Sequence, residues 1–185
     1  MMAKPQAKPQ PEAAPSGDVM RRISIGKVVI NIGVGKSGEA VERARKVLEQ
    51  ITSQKPASRK AKKSIRDFGT HKGEPIGLVV TIRGEERCRE LLTRLLTARE
   101  KKLAESSFDE RGSVSFGLKE HIEIPGIRYD PEIGIWGMNV SVLLHRPGFR
   151  VSRRLRKTST VGKGHVVTKD EAIEYFKREF GVVVE

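Results

Sequence analysis

The chain has 185 residues, a net charge of +13 and a pI of about 10.1, a size that fits one domain with appendages. A single cysteine excludes an internal disulfide and fits the reducing cytoplasm. No run of about 18 apolar residues exists to span a membrane, and no signal-peptide core follows the first basic residues, so a membrane partner is not expected.

Residues 1–19 hold four of the nine prolines among Ala, Gln, Lys and Ser, a composition that predicts a disordered tail. The rest, 20–185, reads as a single domain. Ile23 to Ile32 is rich in β-branched residues and predicts a strand. Side chains alternate along it, so Val28, Ile30 and Ile32 share one face and Lys27, Val29 and Asn31 the other. Gly33, Gly35 and Gly38 then match the G-x-G-x-x-G fingerprint between a strand and a helix. That fingerprint also needs a second parallel strand ending in an acid about 20 residues on. Here that position falls in a basic stretch, which leaves a nucleotide-binding enzyme as the weaker alternative.

Ser37 is placed to cap a helix running to about Thr52, with Ala40, Val41, Ala44, Val47, Leu48 and Ile51 as its apolar stripe. Residues 55–75 follow as a long basic loop. Between Lys55 and Lys72 it holds seven Lys or Arg against one acid, Asp67, and Pro56, Gly69, Gly73 and Pro75 punctuate it. So many charges cannot be buried, and structureless loops of this length are usually functional. Ile76 to Arg83 predicts a second strand, with Leu78, Val80 and Ile82 toward the core and Val79, Thr81 and Arg83 away from it. A helix over 85–102 buries Cys88, Leu91, Leu92, Leu95 and Leu96.

A long alternating strand is expected over Val114 to Ile124, with Ser115, Lys119, His121 and Glu123 outward and Glu120 breaking the apolar face. After a turn over 125–134, Ile135 to Leu144 alternates again, with Asn139 and Ser141 outward. A second basic segment, 146–165, carries seven Lys or Arg and no acid. Thr168 and Glu171 form a capping box that opens the last helix. The order predicts an α+β fold, a mostly antiparallel sheet with helices on one face and the other face open. That open face would show Lys27, Asn31, Thr81, Arg83, Ser115, Lys119, His121, Asn139 and Ser141, groups suited to phosphates, 2′-hydroxyls and base edges. Aromatic residues make up only 5%, so recognition by base stacking across the sheet is not expected. The histidines lack metal-ligand spacing and no carboxylate pair stands out. Catalysis, metals and cofactors are therefore not expected.

Many motifs, in order, resemble one family. They are VVINIGVGKSG at 28–38, ITSQKP at 51–56, KAKKSIRDFG at 60–69, EPIG at 74–77 and TIRG at 81–84. They continue as SFDERGSVSFGLKEHI at 107–122, YDPEIGIWGMNV at 129–140, RPGFRVSRR at 146–154 and GKGHVVTKDEAIEYF at 162–176. From about Met20 onward the chain resembles the universal large-subunit ribosomal protein that binds 5S rRNA, in its archaeal and eukaryotic form. Ser53 stands where that family usually has glycine, and Ser113 where asparagine is common. The resemblance implies a structural protein that attaches 5S rRNA to the large rRNA in the central protuberance. It also implies a place beside other 5S-binding ribosomal proteins and in a bridge to a small-subunit protein. Lys27, Asn31, Gln54, Thr81 and Arg83 would contact 5S rRNA. The basic loop, with Arg59, Lys60, Lys62, Lys63, Arg66, Phe68, His71 and Lys72, would reach P-site tRNA. Contacts to large-subunit rRNA are expected from Arg146, Arg150, Arg153, Arg154, Arg156, Lys157 and Lys163.

Overall fold

The computed structural model describes residues 19–127 and 130–185. The tail expected at 1–19 lies outside them except for Val19, which opens a 3-10 turn, Val19–Arg21.

Strand β1, Ser24–Gly33, is the centre of the sheet. Its apolar face is Ile25, Val28, Ile30 and Ile32, all buried. Ile25 and Val28 both point inward, although three apart, because a bulge shifts the register between Ile25 and Lys27. Gly26 sits at that bulge, where a Cβ would lie 2.7 Å from Nδ1 of His145, so only glycine fits.

Helix α1, Glu39–Thr52, buries Val41, Ala44, Val47, Leu48 and Ile51 as expected. Ser37 does not cap it. The N-cap is Gly38 at φ 100°, with no side-chain hydrogen bond, a conformation that favours glycine. At the other end Ser53 takes the left-handed conformation at φ 52°, one that favours glycine.

The basic stretch is not a structureless loop. Ala57–Lys60 forms β2, an edge strand paired antiparallel with β3, Pro75–Ile82. Beyond it the chain folds into a hairpin. Ala61 donates to the Glu74 carbonyl at 2.8 Å, and Ile65 and Thr70 exchange backbone bonds at 2.9 and 3.1 Å. Ala61 and Thr70 are buried despite their charged neighbours.

Helix α2, Glu85–Ala98, ends earlier than its pattern suggests, and the chain turns through left-handed Glu100 and Lys101 into the short β4, Lys102–Leu103. Strand β5, Ser113–Leu118, also stops early. A 3-10 turn, His121–Glu123, replaces the rest of the expected strand. Glu120 is therefore exposed and interrupts nothing, while His121 is buried rather than on the open face. Strand β6, Met138–His145, completes a five-stranded antiparallel sheet in the order β2-β3-β1-β6-β5.

A short α3, Arg150–Arg153, precedes α4, Lys169–Phe180, which has the expected Thr168–Glu171 capping box and stops at left-handed Gly181. β7, Val183–Val184, pairs in parallel with β4. The stripes of α1, α2 and α4 meet the inward side chains of β1, β3, β5 and β6 in one apolar cluster. Phe176 of α4 meets Phe108 edge-on at 5.7 Å. All three long helices thus cover one face, and the other is left open.

Candidate nucleic-acid interface

The register arranges the open face in rows across the strands. In one row Val79, Asn31, Asn139 and Gly117 are successive partners from β3 to β5. In the next, Thr81, Val29, Ser141 and Ser115 follow one another, with the serine hydroxyls 3.0 Å apart. Asn31, Thr81, Asn139, Ser141 and Ser115 are exposed, and Lys27 is half-buried one row further on. Val79 belongs to this face by parity but is buried, flanked by Ala57 and Asn31. This is a shallow surface of amides, hydroxyls and a lysine.

Arg83 is exposed just past the end of β3 and lines a cleft with Arg22, Arg87 and Arg89 and with the acids Glu85 and Glu86. Lys119 is exposed just past β5. Gln54 stands apart. It lines a separate cleft with Ile82, Arg87, Glu90 and Arg94 between the C-terminal end of α1 and α2, at the edge of the sheet rather than on its face.

The two basic segments lie at opposite ends of β1. The hairpin leaves the sheet beside Gly33, which pairs with Gly77; the segment after β6 leaves beside Ser24, which pairs with His145. A ten-residue strand separates them by about 30 Å. In the hairpin Arg59, Lys60, Lys62, Lys63, Arg66 and Lys72 are exposed, as are Phe68 and His71. Among the described residues none of these cations enters an ion pair with a carboxylate.

The second segment is braced rather than loose. The Phe149 ring stands 6.5 Å from that of His145 and 6.1 Å from that of His165, and His165 Nε2 donates to the Pro147 carbonyl at 2.7 Å. Arg154 Nε donates to the Lys157 carbonyl at 2.7 Å, closing the tip. Arg150, Arg153, Arg154, Arg156, Lys157 and Lys163 remain exposed. Arg146 does not belong with them. It is buried, ion-paired with Glu171 and bonded to the Gly164 carbonyl, and so anchors the segment to α4. Burial would raise the Glu171 carboxyl, but the Thr168 amide and the Arg146 guanidinium outweigh it and hold the group below its ordinary range.

Two amides of the glycine turn after β1 are not free to hold a pyrophosphate. The Val34 and Gly35 amides both donate to the Ile76 carbonyl, at 2.9 and 3.0 Å. The neighbouring strand β3 is antiparallel, whereas a dinucleotide fold needs a parallel one. The turn leads from β1 into α1 and is bonded across to β3.

A family profile described as "Ribosomal protein L5" matches residues 18–70, and one described as "ribosomal L5P family C-terminus" matches 75–175. The chain belongs to the ribosomal protein L5 family. A "Large ribosomal subunit protein uL5" of Pyrobaculum aerophilum is 53% identical over 169 residues, covering 91% of this chain and 94% of its own. The protein of the same description from Nitrosopumilus maritimus is 50% identical over 165 residues, covering 89% and 95%. That of Sulfolobus acidocaldarius is 47% identical over 173 residues, covering 94% and 97%. These archaeal relatives agree with the expected archaeal and eukaryotic form. The family is one of ribosomal structural proteins, so the chain is not an enzyme, and the nucleotide-enzyme alternative falls with the turn geometry. The boundary between the two matched regions falls inside the hairpin, yet β1 and β2 on one side pair with β3 on the other. The two regions share one sheet.

Proposed function

We propose that the chain is a structural protein of the large subunit of the cytoplasmic ribosome that binds 5S rRNA on its open sheet face. The observation that carries this reading is the pair of rows through Asn31 and Thr81, a wet face of neutral donors and acceptors with few acids. Amides and hydroxyls in a flat array suit 2′-hydroxyls and base edges, while Lys27 and Arg83 suit the phosphates beside them. Gln54 joins at the sheet edge. The hairpin, with Phe68 and its unpaired cations, is the part that contacts P-site tRNA. The braced segment presents Arg150, Arg153, Arg154, Arg156, Lys157 and Lys163 to large-subunit rRNA, so the chain ties 5S rRNA to the large rRNA in the central protuberance. Contact with other 5S-binding proteins and with a small-subunit protein in an intersubunit bridge rests on the family resemblance alone.

The test is equilibrium binding of 5S rRNA to the full chain and to Thr81→Ala and Arg83→Ala. Each substitution is expected to weaken binding by about 1–3 kcal/mol through lost hydrogen bonds, with melting unchanged because both side chains are exposed. A sharp drop in melting temperature with RNA affinity intact would contradict the reading.

A further inference from the structure

Between the glycine turn after β1 and the basic hairpin lies a groove of about 890 Å³. Val34 and Ile76 line it from the turn and β3, and Ile65 and Phe68 from the hairpin. Ile65 is 45% exposed and Phe68 71% exposed, so apolar area is left uncovered in the most charged part of the molecule. Both sides are tied down by backbone bonds, one through Val34 and Gly35 to Ile76, the other through Ile65 and Thr70. Gly35 adds no side chain to narrow the gap and holds φ at 77°. Lys36 lines it from the turn side, and Lys62 and Lys63 from the hairpin side. Asp67, the single acid between Lys55 and Lys72, also lines the groove.

We propose that this groove receives one unstacked RNA base bearing an exocyclic amine, with the flanking phosphates held by these lysines; the proposal rests on the RNA-binding reading above. An apolar slot flanked by cations on both sides matches a base between its own phosphates, and an aromatic wall is what an unstacked base packs against. A lone carboxylate would repel phosphate, but it accepts a hydrogen bond from a base amino group. That chemistry favours cytosine, adenine or guanine over uracil.

The test uses the full chain labelled with nitrogen-15 and three short RNA oligomers of equal length: oligocytidine, oligouridine and an abasic phosphodiester. Oligocytidine is expected to bind most tightly and to shift the amides of Val34, Gly35 and Phe68. Phe68→Ala should weaken it about tenfold, in line with the loss of one stacked base, and leave abasic binding unchanged. Asp67→Ala should remove the preference for oligocytidine over oligouridine. Both side chains are exposed, so melting should hold. Equal shifts of the same amides by the abasic oligomer would reduce the groove to an electrostatic contact and overturn the proposal. Shifts that grow with protein concentration alone would give the groove to a second copy of the chain and overturn it as well. None of these variants touches Thr81 or Arg83, so failure here leaves the 5S assignment standing, and failure of 5S binding is read separately.

Discussion

His121 is 2% exposed, and its Nδ1 accepts the Trp136 amide at 3.3 Å. Burial lowers its pKa from the ordinary imidazole value, and the nearby Glu120 only partly opposes that. Protonation would set a new donor against the Trp136 amide. The unfolded chain takes up that proton at about pH 6.5, while the folded chain resists it until lower pH. Stability from this site is therefore complete above about pH 6.5 and is lost as the pH falls through the folded value. Thermal melts should show Tm declining as the pH drops from neutral toward 5, and His121→Gln, which can still accept the amide bond, should decline less. Equal slopes for the two proteins would show that His121 does not set the decline. Arg146 makes a similar point about single residues. In sequence it is one of seven cations in a row, and only the fold shows that it is enclosed against Glu171 while its neighbours are exposed.

At the scale of elements, periodicity made most of the fold legible. The stripes of α1, α2 and α4 and the alternation in β1, β3 and β6 set their own faces. β2 was hidden because all four of its residues are exposed and two are cations, so nothing apolar marks it. Charged residues are what natural edge strands carry to avoid pairing with other chains, and composition alone cannot separate such a strand from a loop. β5 was overextended for the opposite reason. The letters keep alternating through Ile124, but the 3-10 turn at His121 buries His121 and Ile124 by a different spacing. The open-face residues Asn31, Thr81, Ser115, Asn139 and Ser141 were legible by parity. The groove was not, because Val34 and Phe68 lie far apart in the chain and meet only when the hairpin folds back. Because β2 and the buried Ala61 and Thr70 belong to the framework, a tolerated deletion is confined to the tip. Replacing Ser64–Gly69 with a Gly-Ser linker should leave the circular dichroism spectrum and 5S binding nearly unchanged. Ribosomes carrying it should lose chemical protection of P-site tRNA. Persisting protection together with lost 5S binding would exchange the roles of hairpin and sheet.

At the scale of the whole molecule, the two basic runs carry the entire net excess of +13. They stand at the two ends of β1, with the nearly neutral open face between them. A polyanion laid along the face meets cations at both ends, which fixes its direction without requiring charge at the centre. The helices on the other face carry acids and bases in pairs, such as Glu39 with Arg43 and Glu179 with Arg89, and offer no comparable field.

The most direct measurement is the affinity of the full chain for 5S rRNA as a function of salt. Cations that engage phosphates release condensed counterions, so about five to eight engaged groups predict a slope of log K on log salt of about −4 to −7. A slope near zero would mean that the open face and its flanking cations do not hold RNA, and would contradict the RNA-binding role.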